Sequence, residues 1–418
     1  MTPSGRQDEN HSIHGNRLMF QPLSGVRVID ITQVLAGPYA AYQLGLMGAE
    51  ILKIETPGAG DWSRGNGMLP DLNREGMGLA YLTQNANKKS LTLNLKAPEG
   101  LAIMKRLIES ADVFIENFRP GTIERLGLSF EVVRAINPKI VYCSISAFGQ
   151  DGELSHRPAY DHVIQGMCGI MKTTGGPNTG PQKVGAPYVD YATGLNAAFA
   201  IVSGLHETRR TGEAVHLDVA MLDSSMLLMA SLVTGHLTAG WMPKPAGNEA
   251  WSQSASSGAF ETADGLLMVA ANNDRQFRAL CAGLGRPDIL DDERWSTPQS
   301  RQENAASLRT ELVEIFRSAG ADEWEQALDA AGVPAAKVRS LDEVLAEGQA
   351  QTRAFARAMR WDREPRDIHL PTLGFKANRE VVAPTTPPPE LGADTRAVLR
   401  DLGLSEGELA RLAEKAVI

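Results

Sequence analysis

At 418 residues the chain is too long for one ordinary hydrophobic core, so we expect two domains. A composition of 43% hydrophobic and 22% charged residues is typical of globular proteins and excludes a largely disordered chain. The net charge of −9, with only short basic clusters, argues against nucleic acid as a partner, and no apolar run reaches the ~18 residues of a membrane span.

The cysteines and the N-terminus indicate the compartment. Cys143, Cys168 and Cys281 are scattered and odd in number, which excludes a disulfide framework and zinc-ligand spacing. The first residues are polar and lack the apolar stretch of a signal peptide. We therefore predict a disordered extension over residues 1–21, a cytoplasmic location and no metal site.

The elements that follow alternate between strands and helices. The predicted strands are 26–31, 51–54, 112–115, 140–146 and 215–219, and the predicted helices begin near 38, 98, 131, 160, 191 and 220. This alternation is typical of a parallel sheet covered by helices. It predicts an α/β fold whose large, Rossmann-like domain spans residues 22–239.

Within the helix predicted at 191–208, four apolar residues share one face. They are Leu195, Phe199, Val202 and Leu205. Their helical spacing predicts a stripe that packs on the core.

The sequence changes character after this domain. Residues 240–257 are rich in Gly, Pro, Ser and Asn and predict a linker. A hairpin over 260–268 and helical stretches to about 347 then predict a small α+β domain spanning 258–350. Residues 351–390 are interpreted as an extended return linker, and 391–418 as C-terminal helices that pack on the large domain, the last beginning at Ser405.

One acidic residue has a special position. Asp190 closes the segment 183–190, immediately before the helix predicted at 191. Free N–H groups and the helix dipole would favour its ionised form, giving a low-pKa carboxylate that can attack an activated acyl group. An isolated Asp at this place would be interpreted as an ordinary N-cap, so the surrounding motifs decide.

Several short motifs occur in a fixed order before Asp190. They are Leu35-Ala-Gly-Pro38, Lys53-Ile-Glu55 with Gly60-Asp61 and Arg64, Asn87-Lys-Lys-Ser90, Glu116-Asn-Phe-Arg-Pro-Gly121, Ser144–Gly149, and Arg157-Pro-Ala-Tyr-Asp161 with Gln165 and Gly169. From about Pro22 to the C-terminus the chain resembles the family III CoA-transferases of the formyl-CoA and carnitine type. Each motif alone is weak, but the ordered set is specific.

The resemblance implies a mechanism and a partner. The aspartate corresponding to Asp190 attacks an acyl-CoA thioester, and a mixed anhydride and then an aspartyl-CoA thioester form before the acceptor acid is acylated. It implies an acyl-CoA donor and a small carboxylic acid as substrates, and no tightly bound cofactor. It also implies a homodimer whose two chains interlock like linked rings.

The resemblance further implies where coenzyme A binds. Val34, Leu35 and Ala36 would contact the pantetheine arm and Tyr160 would lie near the thioester. The nucleotide end would be lined by Leu93, Lys96, Asn117, Phe118 and Arg125. Lys96 and Arg125 are suitable phosphate partners by their chemistry, although a single basic residue is more often a solvated surface charge.

The chain departs from the formyl-CoA transferases at three places. Leu35 replaces a catalytically important glutamine, Thr56 replaces an arginine at the adenine, and Gly247–Ser252 replaces a run of glycines that forms a mobile flap. These differences argue against formyl-CoA and oxalate as the substrate pair and leave the transfer reaction itself untouched.

Two other functions stay open. An α-methylacyl-CoA racemase needs an acid/base pair, but Tyr160 occupies the position of its histidine, and a tyrosine of ordinary pKa, about 10, is a poor base at neutral pH. The adjacent His162 would point in another direction on a helix. A catalytically silent CoA-binding protein is the second alternative, which the retention of Asp190 disfavours.

Overall fold

The computed structural model describes residues 20–176, 179–245, 247–250, 252, 254–361 and 367–418. Except for its last two residues, the extension predicted over 1–21 lies outside these ranges. Within them, no helix has both the length and the apolar character needed to cross a membrane.

A six-stranded sheet forms the centre of the fold, with the strands in the order β3-β2-β1-β4-β5-β6. Its strands are β1 Arg27–Asp30, β2 Glu50–Glu55, β3 Lys88–Thr92, β4 Val113–Glu116, β5 Val141–Ser146 and β6 Val215–Ala220. The pairs β1–β2, β2–β3, β1–β4 and β4–β5 are parallel. The α/β prediction is thereby confirmed, and β3 is a strand that the hydrophobic pattern did not reveal.

Helices connect these strands and continue beyond them. Up to residue 211 they are α1 Ala36–Leu46, α2 Pro70–Arg74, α3 Leu79–Leu82, α4 Pro98–Ile108, α5 Thr122–Arg125, α6 Phe130–Ile136, α7 Asp161–Met167 and α8 Tyr188–Thr211. The later ones are α9 Met221–Leu228, α10 Ala230–Ala239, α11 Asp274–Gly283, α12 Pro298–Glu303, α13 Ala305–Phe316, α14 Ala321–Ala330, α15 Leu341–Ala346, α16 Gly348–Arg353, α17 Thr395–Asp401 and α18 Glu406–Glu414.

Among the described residues, three smaller antiparallel sheets follow the main one. Their strands are β7 Ser257–Glu261, β8 Leu266–Ala270 and β9 Ala335–Lys337, then β10 Ala356–Met359 with β11 Ile368–Pro371, and β12 Lys376–Ala377 with β13 Glu380–Val381. The hairpin predicted around the Asp264-Gly265 turn is the β7–β8 pair. The segment predicted as an extended linker over 351–390 contains the last four of these strands.

By their internal contacts the residues group into two compact units. Of the described residues, unit 1 comprises those within 1–146, 193–219 and 354–418, and unit 2 comprises those within 147–192 and 220–353. The prediction of one continuous large domain over 22–239 differs from this grouping, because 147–192 and 220–239 fall in unit 2. Each unit is described by itself below.

Unit 1 is built on the six-stranded sheet. One face of the sheet packs on α4 and the C-terminal helices, with Leu399, Leu409 and Leu412 buried beside residues of β1 and β4. The other face packs on α1 and α8. The C-terminal helices are thus part of the main core, since the apolar stripe of each amphipathic helix is buried there.

Helix α8 corrects the predicted core stripe. Its buried face in unit 1 contains Ala197, Ala198, Ile201 and Leu205. Of the four residues predicted to pack on the core, only Leu205 is buried, whereas Leu195, Phe199 and Val202 are exposed. The helix is apolar on both sides, so periodicity alone could not show which stripe faces the sheet.

Unit 2 has its own core. The sheet β7-β8-β9 and helices α11, α13 and α14 enclose it, with Phe260, Phe277 and Phe316 buried at its centre. This arrangement agrees with the small α+β domain predicted from the sequence. A second cluster in unit 2 surrounds Ile164 and Val189, beside the start of α8.

Candidate active site

Asp190 lies in the first turn of α8 rather than before the helix. It is the third helical residue, and the N–H groups at this end have no partners within the helix. The carboxylate of Asp161 accepts two of them, from Val189 at 2.8 Å and from Asp190 at 3.4 Å. A residue of α7 therefore caps α8, and Asp190 does not cap its own helix.

The pKa of Asp190 is shifted in the direction opposite to the one expected from its position. Burial raises it to about 7, and the negative charge of Asp161 adds to this effect. The physical reason is that burial disfavours the charged form, and that the Asp161 carboxylate, which accepts N–H groups at this end of α8, adds a like charge. Asp190 thus combines partial ionisation at neutral pH with more basicity than an ordinary aspartate.

Gln165 holds the segment that leads to Asp190. Its amide nitrogen donates to Asp161 at 2.6 Å, and its carbonyl oxygen accepts the N–H of Val184 at 2.8 Å. Both groups of the buried side chain are therefore used. The motif that ends in Asp161 and Gln165 was visible in the sequence, but its role in supporting Asp190 was not.

Tyr160 lies immediately before α7 and is 66% exposed. Its ring is stacked against that of His162, with 6.4 Å between the centroids and 11° between the planes. The two rings flank Asp161, the residue that caps α8, in the sequence.

In unit 1, the loops after β1 and β4 meet at the place where the strand order reverses. Ligands of open α/β sheets bind outside the carboxyl ends of the strands at this kind of place. The side-chain amide of Asn117, after β4, bonds both backbone groups of Gln33, after β1, each at 2.8 Å. The structure therefore brings Asn117 together with the loop that contains Val34, Leu35 and Ala36.

Val34 has an unusual backbone conformation in this loop. Its φ of 73° lies in the left-handed region, which costs a β-branched residue on the order of 1–3 kcal/mol. Its N–H donates to Asp61 at 3.1 Å and its carbonyl accepts from Gln84 at 2.5 Å. These two bonds fix the strained peptide in place.

Buried ion pairs hold the same loop in position. Lys53 donates to the carbonyl of Thr32 at 2.8 Å and pairs with Asp61 at 2.9 Å, with neither charged side chain exposed. Burial alone would raise the pKa of Asp61, but Lys53 and the bonds from Ser63 and Val34 lower it to about 2. Arg64 pairs with Glu55 in the same region. These motif residues thus shape the loop and are not exposed for ligand binding.

Leu35 and Ala36 begin α1. Leu35 is the N-cap but offers no side-chain hydrogen bond, unlike a glutamine at this place. Ala36 is buried, and a Cβ on Gly194 of α8 would lie 2.8 Å from its carbonyl oxygen. Gly194 therefore permits the close approach of α8 to the start of α1.

The other residues predicted to bind the coenzyme differ in how far they are exposed. Leu93 is 2% exposed and packs in the main core, whereas Lys96 is exposed after β3. Phe118 is half-buried against the same core, and Arg125 of α5 is exposed with its guanidinium donating to Thr122 at 2.9 Å. Lys96 and Arg125 are accessible to a phosphate, but the Leu93 side chain is a core residue.

Within the described residues, no cluster of three or more His, Cys, Asp or Glu side chains could hold a metal ion. The three cysteines are buried free thiols.

Comparison with known proteins is consistent with this geometry. The profile of "CoA-transferase family III" matches residues 23–395. Succinyl-CoA:glutarate CoA-transferase of Mus musculus is 36% identical over 403 residues, covering 95% of this chain and 90% of that protein. Succinate–glutarate CoA-transferase of Agrobacterium fabrum is 36% identical over 390 residues, covering 91% of this chain and 96% of that protein.

A solved structure shows the same fold. The crystal structure of a CAIB/BAIF family protein from Brucella suis superimposes with a TM-score of 0.80 at 31% identity, covering 92% of this chain and 100% of that chain. Since the family profile and these relatives span most of the sequence, the chain belongs to CoA-transferase family III and is a CoA-transferase.

Proposed function

We propose that the protein transfers CoA from an acyl-CoA thioester to a small carboxylic acid, with Asp190 as the nucleophile. The observation that carries this proposal is the position of Asp190 in the first turn of α8, with a pKa near 7. A carboxylate of this pKa is a better nucleophile than an ordinary aspartate and needs no general base at neutral pH.

The proposed reaction conserves protons. A carboxylate oxygen of Asp190 attacks the thioester carbon, the C–S bond breaks, and CoA leaves as a thiolate from a mixed anhydride. The thiolate then attacks the aspartyl carbon, which releases the donor acid and leaves an aspartyl-CoA thioester. The acceptor carboxylate attacks this thioester, the thiolate returns to the acceptor's acyl carbon, and Asp190 is regenerated.

The loops after β1, β3 and β4 are the proposed coenzyme site of unit 1. They present the strained peptide of Val34, the Phe118 ring and the exposed cations Lys96 and Arg125. Two cations suit a ligand with several phosphates, and the start of α1 offers N–H groups without a side-chain cap. Leu93 contributes to this site through the core that supports it.

The acceptor is proposed to be a short dicarboxylic acid. Two of the relatives are named for CoA transfer between succinate and glutarate, and they align over nine-tenths or more of this chain. Succinyl-CoA with glutarate and its shorter and longer homologues is therefore the first donor and acceptor set to assay, with acetyl-CoA as an alternative donor.

We also propose a homodimer of interlocked chains. Phe199 is 72% exposed on α8 of unit 1, beside Leu195, and Leu227 and Leu237 are exposed in unit 2. Large apolar residues grouped on a surface mark an interface with another chain. A cytoplasmic location stays a prediction from the sequence.

The test of the proposed nucleophile is chemical trapping. Incubation with succinyl-CoA and hydroxylamine should convert Asp190 into a hydroxamate, detected by peptide mass spectrometry, and should inactivate the enzyme. Asp190→Asn and Asp190→Ala should lose CoA transfer by a factor on the order of 10³ or more and escape labelling. Asp151→Asn, which changes an exposed acid of the same unit, is the control and should stay active and labelled.

Transfer that survived in Asp190→Ala would contradict the proposal. A racemase would instead exchange the α-hydrogen of its acyl-CoA with solvent deuterium, and a silent binding protein would do neither. Parallel samples prepared in deuterium oxide without hydroxylamine, and analysed for deuterium in the recovered thioester, distinguish the three functions.

A further inference from the structure

A polar relay in unit 1, buried at Glu116 and Ser144 and exposed at His216, has no role in the reaction described above. It joins Glu116 at the end of β4, Ser144 on β5 and His216 on the edge strand β6. His216 Nε2 lies 3.0 Å from the Ser144 hydroxyl, and Ser144 in turn neighbours the Glu116 carboxyl group and opposes the rise of its pKa. Which of the two groups donates in the bond between His216 and Ser144 depends on the tautomer of the imidazole.

Glu116 is nearly inaccessible and incompletely bonded. It is 1% exposed, and its Oε2 accepts the N–H of Phe118 at 2.8 Å. Its Oε1 has no hydrogen-bond partner among the described residues. An ionised carboxylate with one bare buried oxygen is unfavourable, so this environment favours the neutral acid.

The surrounding charges act in the same direction. Burial raises the pKa of Glu116 to about 7, with further contributions from Glu124 of α5 and Asp218 of β6, while Ser144 and the Phe118 N–H oppose the shift. Tyr142 and Cys143 of β5 are acidic neighbours whose own pKa values are raised, in part by Glu116. Desolvation lowers the pKa of His216, which stacks on Phe130, so this ring brings no fixed positive charge.

The relay is attached to the proposed coenzyme site through one turn of backbone. Glu116 bonds the N–H of Phe118, and the intervening Asn117 bonds both backbone groups of Gln33. The loops after β1 and β4 are therefore held by the same short segment. Any charge that binds to this segment acts on Glu116 at close range.

We propose that Glu116 is a positioning residue that couples coenzyme binding to the uptake of one proton. The inference rests on the proposed coenzyme site of unit 1. Bound phosphates bring negative charge to the turn after β4 and favour the neutral form of Glu116, so free protein with ionised Glu116 takes a proton from solvent on binding. Affinity for CoA then decreases by up to tenfold per pH unit once the pH exceeds the pKa of Glu116 in the free protein.

The test compares wild type with Glu116→Gln, which keeps an acceptor for Phe118 and cannot ionise. Dissociation constants for CoA are measured by calorimetry from pH 6 to 9. The ratio of the wild-type to the variant constant should change little near pH 6 and should increase about tenfold or more by pH 8.5. Titrations of the CoA phosphate and thiol are common to both proteins and cancel in this ratio.

Two further variants test the direction without altering Glu116. Glu124→Gln, at an exposed position, removes a negative neighbour of Glu116. The midpoint, which is the pH at which the affinity for CoA begins to decrease, should therefore be lower in this variant than in wild type. Ser144→Ala removes a group that lowers the pKa of Glu116 and should move the midpoint to higher pH. Midpoints equal to that of wild type, or a ratio of dissociation constants independent of pH, would overturn the proton coupling at Glu116 without affecting the proposed transferase function. Failure of wild type to bind CoA at any pH would contradict the proposed function itself.

Discussion

The carboxylate of Asp161 accepts the backbone N–H of Val189 at 2.8 Å and thereby closes the N-terminus of the helix that contains Asp190. Burial raises the pKa of Asp190, and the same carboxylate adds to this effect by placing a negative charge beside it. One side chain thus fixes the position of the proposed nucleophile and tunes its basicity.

Replacing Asp161 should therefore separate these two effects. In Asp161→Asn the side-chain oxygen can still accept from Val189, but the charge is gone, so the pKa of Asp190 should fall. The acid limb of the kcat–pH profile, expected near pH 7 in wild type, should move to lower pH by roughly one unit, which is about 1.4 kcal/mol. An unchanged acid limb in a folded variant would show that a group other than Asp190 controls it.

Asn117 should matter for the coenzyme more than for stability. Asn117→Ala removes both bonds to Gln33, so the KM for acyl-CoA should rise roughly tenfold or more, with a smaller change in kcat. Asn137→Ala is the matched control, because Asn137 likewise bonds two backbone groups, the carbonyls of Ile108 and Ala111, but lies before β5. It should lower stability and leave KM unchanged, and equal KM effects of the two variants would contradict this placement of the coenzyme.

Lys53 should contribute strongly to stability. Lys53→Met leaves the buried Asp61 without its counter-charge, at a cost of about 3–5 kcal/mol in the free energy of unfolding measured with urea. Lys89→Met is the control, since Lys89 pairs with Glu50 on the exposed surface and should cost less than about 1 kcal/mol. Similar costs for the two would show that the pair with Asp61 contributes little.

Asp61 also predicts a loss of stability in acid. Its pKa is lowered to about 2 from 3.8, so it contributes stability above pH 3.8 that disappears as the pH falls towards 2. This contribution to the free energy of unfolding is about 2 kcal/mol by linkage. In Lys53→Met the stability should no longer show this decrease between pH 3.8 and pH 2. A wild-type and variant stability difference that stayed constant from pH 5 to pH 2 would contradict it.

The exposed side of α8 should hold the proposed dimer together. Phe199→Asp places a charge in this apolar stripe and should shift the protein towards monomers in light scattering after size exclusion. Met68→Asp, at a residue that is 90% exposed in unit 1, is the control for a charge introduced at an apolar surface position. A wild-type monomer, or a dimer that resists Phe199→Asp, would show that another surface carries the interface.

The sequence was sufficient for the α/β class, because the strands of a buried parallel sheet are short apolar runs separated by helical periodicity. It also located Asp190 and the motifs around it, since these are local in the chain. Strand β3 was not predicted, because Lys88 and Lys89 interrupt its apolar pattern. The structure shows that the buried ion pair between Lys88 and Asp30 allows a charged residue in this sheet.

Tertiary structure decided what local patterns could not. Helix α8 has two apolar faces, one with Phe199 and one with Ile201. Only the position of the sheet decides which of these faces is buried, and it is the face with Ile201. The pKa of Asp190 depends on its burial and on the charge of a carboxylate 29 residues away that accepts N–H groups of the same helix. Residue type and order in the chain were enough to predict the fold class and the candidate residues. The charges that these residues carry depend on packing, because electrostatic energies are set by distances and burial in space.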